Sequence, residues 1–415
     1  MSEKKNTCKK AVIAVIVIAL IVVIIALAVV ISGKSKKDGS KSATEAGTET
    51  MRSGQFDIDY AKQVTKLADY SGIAITVSND YEINDTAKQK YLTNVLQSYG
   101  ADAYKQVTDR DTVADGDYVK VDYTGYKDGK AFDGGSATDV MLDVTNNSQV
   151  GGSSFIDGFT KPIIGAKVGD KVKGDVTFPE DYGNDDLNGQ TVTFEYTVKG
   201  IYSADPVALA DMTDEQVNTV FGKAGVTTNA QLTTQIEKDL KQQLYSAEVD
   251  KIKSYMIENS TVEIPDEYLQ ARLNEYIASF TKENVKDGQT LKKYLKSNYN
   301  MTVDQATEKW KENMTDQIKT EFIFGLIAEK ENIKMDDDAF NSYVDYIVSA
   351  SNGQFSKASE VYKYFGSGHK DEGKTYLKNQ YLVNKAIDTV TEKANVTFED
   401  GSAAPDTSSG SADAE

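Results

Sequence analysis

Tyr123, Phe132 and Asp133 fall within YTGYKDGKAFDGG, residues 123–135, where two aromatic rings and a carboxylate stand beside paired glycines. Lys127-Asp128-Gly129-Lys130 reads as a tight turn between two short strands, because Asp-Gly supplies the positive φ values of a hairpin. Rings and a carboxylate near close-approaching backbone fit ordinary packing. They also fit the wall of a pocket. The other chemistry open to the chain is narrow. Its 415 residues include one cysteine, Cys8, and one histidine, His369. Thiol nucleophiles, disulfides and Cys-based zinc sites are therefore excluded beyond Cys8, and a Ser-His-Asp triad would have to use His369. That histidine lies in GSGHKDEG, which reads as an exposed loop. Asp336-Asp337-Asp338 reads as a capped helix start rather than a metal cluster. No metal or cofactor is expected.

The net charge of −18 is unevenly placed. Residues 1–38 hold seven lysines and two acidic groups, which leaves 39 basic against 62 acidic groups downstream. So acidic a body repels phosphate backbones, and nucleic-acid binding is not expected.

AVIAVIVIALIVVIIALAVVIS, residues 11–32, contains no charge. At about 1.5 Å per residue it is long enough for the ~30 Å hydrocarbon core of a bilayer. It exceeds the apolar stretch of a cleaved signal peptide, and Ala26-Leu27-Ala28 lies inside the run rather than after it. An uncleaved single-pass anchor at 11–32 is expected, with residues 1–10 cytoplasmic. The slight lysine excess before the run and the cysteine-free body favour a body outside a bacterial cell membrane. Residues 33–55, rich in Ser, Lys, Thr, Glu and Gly, read as a flexible tether. Residues 399–415 read as a disordered tail.

Between these ends the pattern changes twice. From 111 to 203 it is β-rich: DYVKVDYTGY, KVKGDVTF and TVTFEYTVKGIY alternate at period two. Glycines punctuate the connections. In FIDGFTKPIIGAKVGD, Phe159, Ile163 and Ile164 can share the face of a short helix that Gly165 ends. A curved antiparallel sheet closed by such a helix would enclose an apolar pocket.

VDYTG, DGKAFDGG, FIDGF…IIGAKVGD, FPEDYG and TVTFEYTVKGIY follow one another in this order. Together they resemble the FKBP-type peptidyl-prolyl isomerase domain, in the variety found within trigger factor. The resemblance implies a proline pocket built from Tyr123, Phe132, Asp133, Phe155, Ile156, Phe159, Tyr182 and Phe194. It implies that Phe159 stands where many members carry a Trp floor. Peptidyl-prolyl isomerisation needs no nucleophile: the barrier of ~18–20 kcal/mol reflects lost amide resonance, and an apolar cradle favours the twisted, unconjugated imide. On this reading Tyr123, Phe132, Phe159 and Phe194 form the cradle. Asp133 is a fixed polar group at its rim, and Tyr182 donates a hydrogen bond to a substrate carbonyl.

From 204 to 398 the pattern is helical. Leu232, Ile236, Leu240, Leu244, Ile252 and Met256 form one stripe of a long helix. Pro265 in VEIP starts the next helix, and further ones are expected at 303–331, 336–350 and 370–394. VEIPDEYLQARLNEYI, IKTEFIFGLIAEKENIKMDDDAF and YLKNQYLVNKAIDTVTEKANVT resemble the C-terminal chaperone domain of trigger factor. Residues 69–117 resemble that family's connecting segment, and residues 56–110 are assigned to that segment. The GFRxGKxP ribosome-docking loop is not found in the sequence, so ribosome binding is not expected. The expected fold is α+β and multidomain: a transmembrane helix, a curved antiparallel FKBP-like sheet domain with a short helix, and an all-α chaperone domain. The implied activity is an anchored isomerase and chaperone for unfolded or nascent exported polypeptides with X-Pro bonds. The alternative is a non-catalytic holdase that uses the FKBP-like fold as a peptide-binding or spacer module.

Overall fold

The computed structural model describes residues 51–96, 104–286 and 288–407. The anchor expected at 11–32 and most of the tether lie outside these residues. Among the described residues no helix is long and apolar enough to cross a membrane. Two compact units result, one from residues 83–240 and one from residues up to 82 together with 241–415.

The first unit is built on an antiparallel sheet of β1 (Tyr104–Gln106), β2 (Tyr118–Lys127), β3 (Lys130–Asp143), β4 (Ser148–Gln149), β5 (Lys171–Thr177) and β6 (Thr191–Pro206). The order is β1-β6-β2-β3-β4, with β5 paired to the remaining stretch of β6. The β2–β3 hairpin forms as expected. Asp128 and Gly129 take φ of 51° and 75°, and Lys127 pairs with Lys130. β6 alternates strictly: Val192, Phe194, Tyr196 and Val198 turn inward and are buried. Register shifts near Val121 and Thr124 bend β2. A second apolar group in this unit joins helices Asp85–Leu96 and Asp214–Phe221 and the start of Asn229–Asn259 to Met141 and Val150 of the sheet segment.

The short helix expected around Phe159, Ile163 and Ile164 is only a 3-10 turn, Lys161–Ile163. Ile163 is fully buried whereas Ile164 is 46% exposed, so the two do not share a face. Pro162 supplies no amide hydrogen, and Gly165, at φ 84°, stops the turn before a helical face can develop. Pro162 instead lies against β5, where a Cβ on Gly174 would come within 2.1 Å of its ring.

The second unit is helical. Asp266–Asn284, Leu291–Tyr299, Val303–Lys330, Asp337–Ala350, Ala358–Phe365 and Lys370–Glu392 pack with the later part of Asn229–Asn259. Leu232, Ile236, Leu244, Ile252 and Met256 are buried along the long helix, as its stripe requires. Asp336 caps its helix by accepting from the amides of Asp338 and Ala339, and His369 is exposed. The Arg272 guanidinium is buried and donates to Glu321 at 2.8 and 3.0 Å and to Tyr268 at 2.9 Å.

Two small strand pairs complete this unit, and both use residues from the expected connecting segment. Val64–Lys66 pairs with Thr261–Val262, and Ala74–Val77 lies parallel to Asn395–Phe398. Two expectations at the chain's flanks need correction for the described residues. Residues 51–55 are fastened rather than loose: Arg52 pairs with Glu372 and Ser53 donates twice to Glu275. Residues 399–407 are ordered as well. The turn after Phe398 brings Thr397 against Ala403, and buried Thr407 donates to buried Glu248. Composition made these segments look like linker, but each hydrogen-bonds groups from distant helices that composition does not register.

Candidate active site

Phe159 is the centre of a ring cluster inside the sheet unit. It is 2% exposed. Phe155 stacks on it at 4.2 Å and 16°, while Phe194, Tyr123 and Tyr196 meet it edge-on at 4.8, 5.0 and 5.4 Å. Its backbone is pinned as well, because the Tyr196 hydroxyl donates to the Phe159 carbonyl at 2.6 Å. Tyr123 also approaches Phe155 at 6.2 Å and Phe194 at 6.1 Å. Burial pushes the Tyr123 phenol upward, so it remains a protonated donor near neutral pH.

The glycines of the opening motif now have a physical role. A Cβ on Gly125 would lie 2.6 Å from the Phe132 ring, and one on Gly135 would lie 2.5 Å from it. The ring rests across bare backbone at both positions, which no side chain would permit. It then contacts Phe194 at 5.9 Å and Phe178 at 6.1 Å. Phe178 carries the series outward to Tyr182 at 4.5 Å, and Tyr182 is 48% exposed. The loop bearing Tyr182 is held by the Asn188 side chain, which accepts from the amides of Gly183 and Asn184. Lys127 of the hairpin donates to the Asp186 carbonyl of the same loop.

Of the eight residues expected at the pocket, Tyr123, Phe132, Phe155, Ile156, Phe159 and Phe194 belong to one apolar cluster. Tyr182 joins it through Phe178. Asp133 is exposed beside Phe132, and its carboxylate has no hydrogen-bond partner among the described residues. Sequence reasoning missed Phe178 and Tyr196. The alternation Val192, Phe194, Tyr196, Val198 would have placed Tyr196 on the inner face. Phe178 has no comparable signal beyond its place in FPEDYG. Among the described residues, no group of three or more His, Cys, Asp or Glu is arranged to hold a metal.

An apolar ring wall with phenol hydroxyls at its side can hold an apolar, kinked backbone segment. It offers no nucleophile among these rings. Comparison with known proteins agrees with this chemistry. Residues 110–199 match the FKBP-type peptidyl-prolyl cis-trans isomerase family, and residues 227–392 match the bacterial trigger factor C-terminus. Trigger factor of Agathobacter rectalis is 28% identical over 330 residues, covering 79% of this chain and 69% of that protein. Trigger factor of Clostridium botulinum is 29% identical over 276 residues, and the chain spans only 62% of its length. Trigger factor of Acetivibrio thermocellus is 26% identical over 339 residues, covering 81% of this chain and 74% of its own. A solved trigger factor chaperone structure overlaps 79% of this chain and 72% of its own at 18% identity and a TM-score of 0.40. Two successive stretches of the chain thus match, in order, an FKBP-type domain and the trigger factor C-terminus.

Proposed function

We propose that this trigger factor-like chain is a membrane-anchored peptidyl-prolyl cis-trans isomerase and chaperone acting on exported polypeptides. The observation that carries the proposal is the continuity of the rings around Phe159, from Tyr123 through Phe194 to Phe132. An X-Pro segment entering this wall leaves water behind. Rotation removes conjugation from the imide nitrogen, and the less polar twisted state is favoured by apolar surroundings. Tyr182, exposed at the edge, is available to donate to a substrate carbonyl. Asp133, without a hydrogen-bond partner among the described residues, is available to the substrate amide beside it. Uncatalysed isomerisation takes tens to hundreds of seconds, so even a modest lowering of the barrier matters to a folding chain.

Client holding is assigned to the helical unit. There Tyr276, Phe280, Tyr294 and Trp310 form a ring group around three helices, and Tyr299 beside Tyr294 is 41% exposed. The apolar run at 11–32 supports the anchor, and the slight lysine excess before it with the cysteine-free body supports an extracytoplasmic location.

One observation favours the non-catalytic reading: Phe155 covers a face of Phe159 that a prolyl ring would otherwise use. Proline-limited refolding of a model protein separates the two. The isomerase reading expects acceleration by the wild type and its loss in Phe132→Ala, with a partial loss in Asp133→Ala. Refolding that the wild type does not accelerate would leave only the holdase, and equal acceleration by all three proteins would remove Phe132 and Asp133 from the site.

A further inference from the structure

We propose that Asn147 is a positioning residue of the isomerase site, setting the loop that carries Phe155, Ile156 and Phe159; the inference rests on the isomerase reading above. Asn147 lies between β3 and β4, in a stretch that none of the family-like motifs includes. Its φ is 48°, a left-handed conformation that asparagine adopts more readily than most residues. Its backbone carbonyl accepts from the Phe155 amide at 2.9 Å. Its side-chain nitrogen donates to the carbonyls of Phe155 at 3.2 Å and Ile156 at 2.9 Å. Its side-chain oxygen accepts from the Thr160 amide at 3.0 Å and lies 3.1 Å from the Thr160 hydroxyl. That hydroxyl is buried and also lies 3.1 Å from the Val144 carbonyl.

A carboxamide has two N–H donors and two acceptor lone pairs, and here both donors and at least one acceptor position serve the 155–160 loop. The loop needs such a brace. Its internal backbone support is a single turn, Phe159 amide to Ile156 carbonyl at 3.2 Å, together with the Tyr196 bond to Phe159. Six consecutive residues thus place three of the site's apolar side chains with support from Asn147 at one end, from Tyr196 at Phe159, and from the Lys161 and Ile163 amides, which donate to the Gly158 and Thr160 carbonyls at 3.3 Å.

Two variants test the assignment in the full chain. Asn147→Asp keeps the turn conformation and the acceptor for Thr160 but replaces the donor that serves Phe155 and Ile156. Asn147→Gly keeps the turn conformation and removes the side chain. Both are measured on a short X-Pro peptide by exchange NMR, beside amide hydrogen exchange of the protein. The expected result is a fall in kcat/KM of about tenfold or more, carried mainly by kcat. Exchange at Phe155 and Thr160 should quicken by about tenfold, with β6 amides at Phe194 and Tyr196 unchanged. Wild-type kcat together with wild-type exchange at Phe155 and Thr160 would overturn the proposal. So would uniform loosening of the sheet with kcat preserved, because that is what a merely structural asparagine predicts. An inactive wild-type protein would sink the isomerase reading alone, and hydrogen exchange would still decide whether Asn147 braces the loop.

Discussion

Gly125 sits under two rings at once. A Cβ there would come within 2.6 Å of Phe132 and 2.7 Å of Phe194, both contacts too short to keep. One ring or the backbone of β2 would have to move. Gly125→Ala should therefore destabilise the sheet unit by ~1–3 kcal/mol, the range for overpacking a core, and reduce isomerase activity by displacing Phe132. Urea denaturation and the refolding assay check the two parts separately. Gly134, by contrast, has open space around its missing side chain and is needed for its φ of 79°. At this scale much was legible. The Asp128-Gly129 hairpin was readable from residue type, whereas the ring set came from the family resemblance and left out Phe178 and Tyr196. The Phe155–Phe159 stack was not readable, because nothing in a sequence says which neighbouring ring turns onto another.

Among elements, the segment 395–407 shows how a small piece of chain can be fixed by one buried carboxylate. Asn395–Phe398 pairs with Ala74–Val77, and the chain then turns so that Thr407 reaches Glu248 on the long helix. Glu248 is 2% exposed, and burial raises its carboxyl above the ordinary value despite the Thr407 bond. A carboxyl raised in the fold adds stability while it is protonated, and that contribution is lost as pH rises through the folded value. At neutral pH the buried carboxylate is thus a cost. Glu248→Gln keeps an acceptor for Thr407 and removes the charge. It should melt higher than wild type at pH 7, with the difference closing near pH 4, about the ordinary glutamate value. A gap that widens on acidification would contradict this. The helices at 303–330, 337–350 and 370–392 were legible from apolar stripes and caps, with ends within one or two residues of those expected, but the shorter ones at 85–96, 214–221, 291–299 and 358–365 were not predicted. The 3-10 turn at 161–163 and the strands at 64–66 and 74–77 were not legible. Their pairing partners lie far along the chain or depend on a proline, and short elements carry little periodic signal.

At the scale of the whole molecule, two compact units separate the ring wall from the helical surface. Isomerisation and holding should therefore be separable: variants of the sheet unit should leave suppression of aggregation intact. The apolar run at 11–32, the lysine excess before it and the cysteine-free body give a second expectation. Protease added to intact cells should digest the body, and protection until the cells are opened would place it inside. Neither result bears as closely on the account as direct observation of the reaction. The decisive measurement is cis–trans exchange of a short X-Pro peptide, followed by NMR with the full chain at catalytic concentration. The ring wall predicts exchange well above the uncatalysed rate for the wild type and near-background exchange for Phe132→Ala that remains folded. Background exchange with the wild-type protein, or undiminished exchange with the variant, would contradict it.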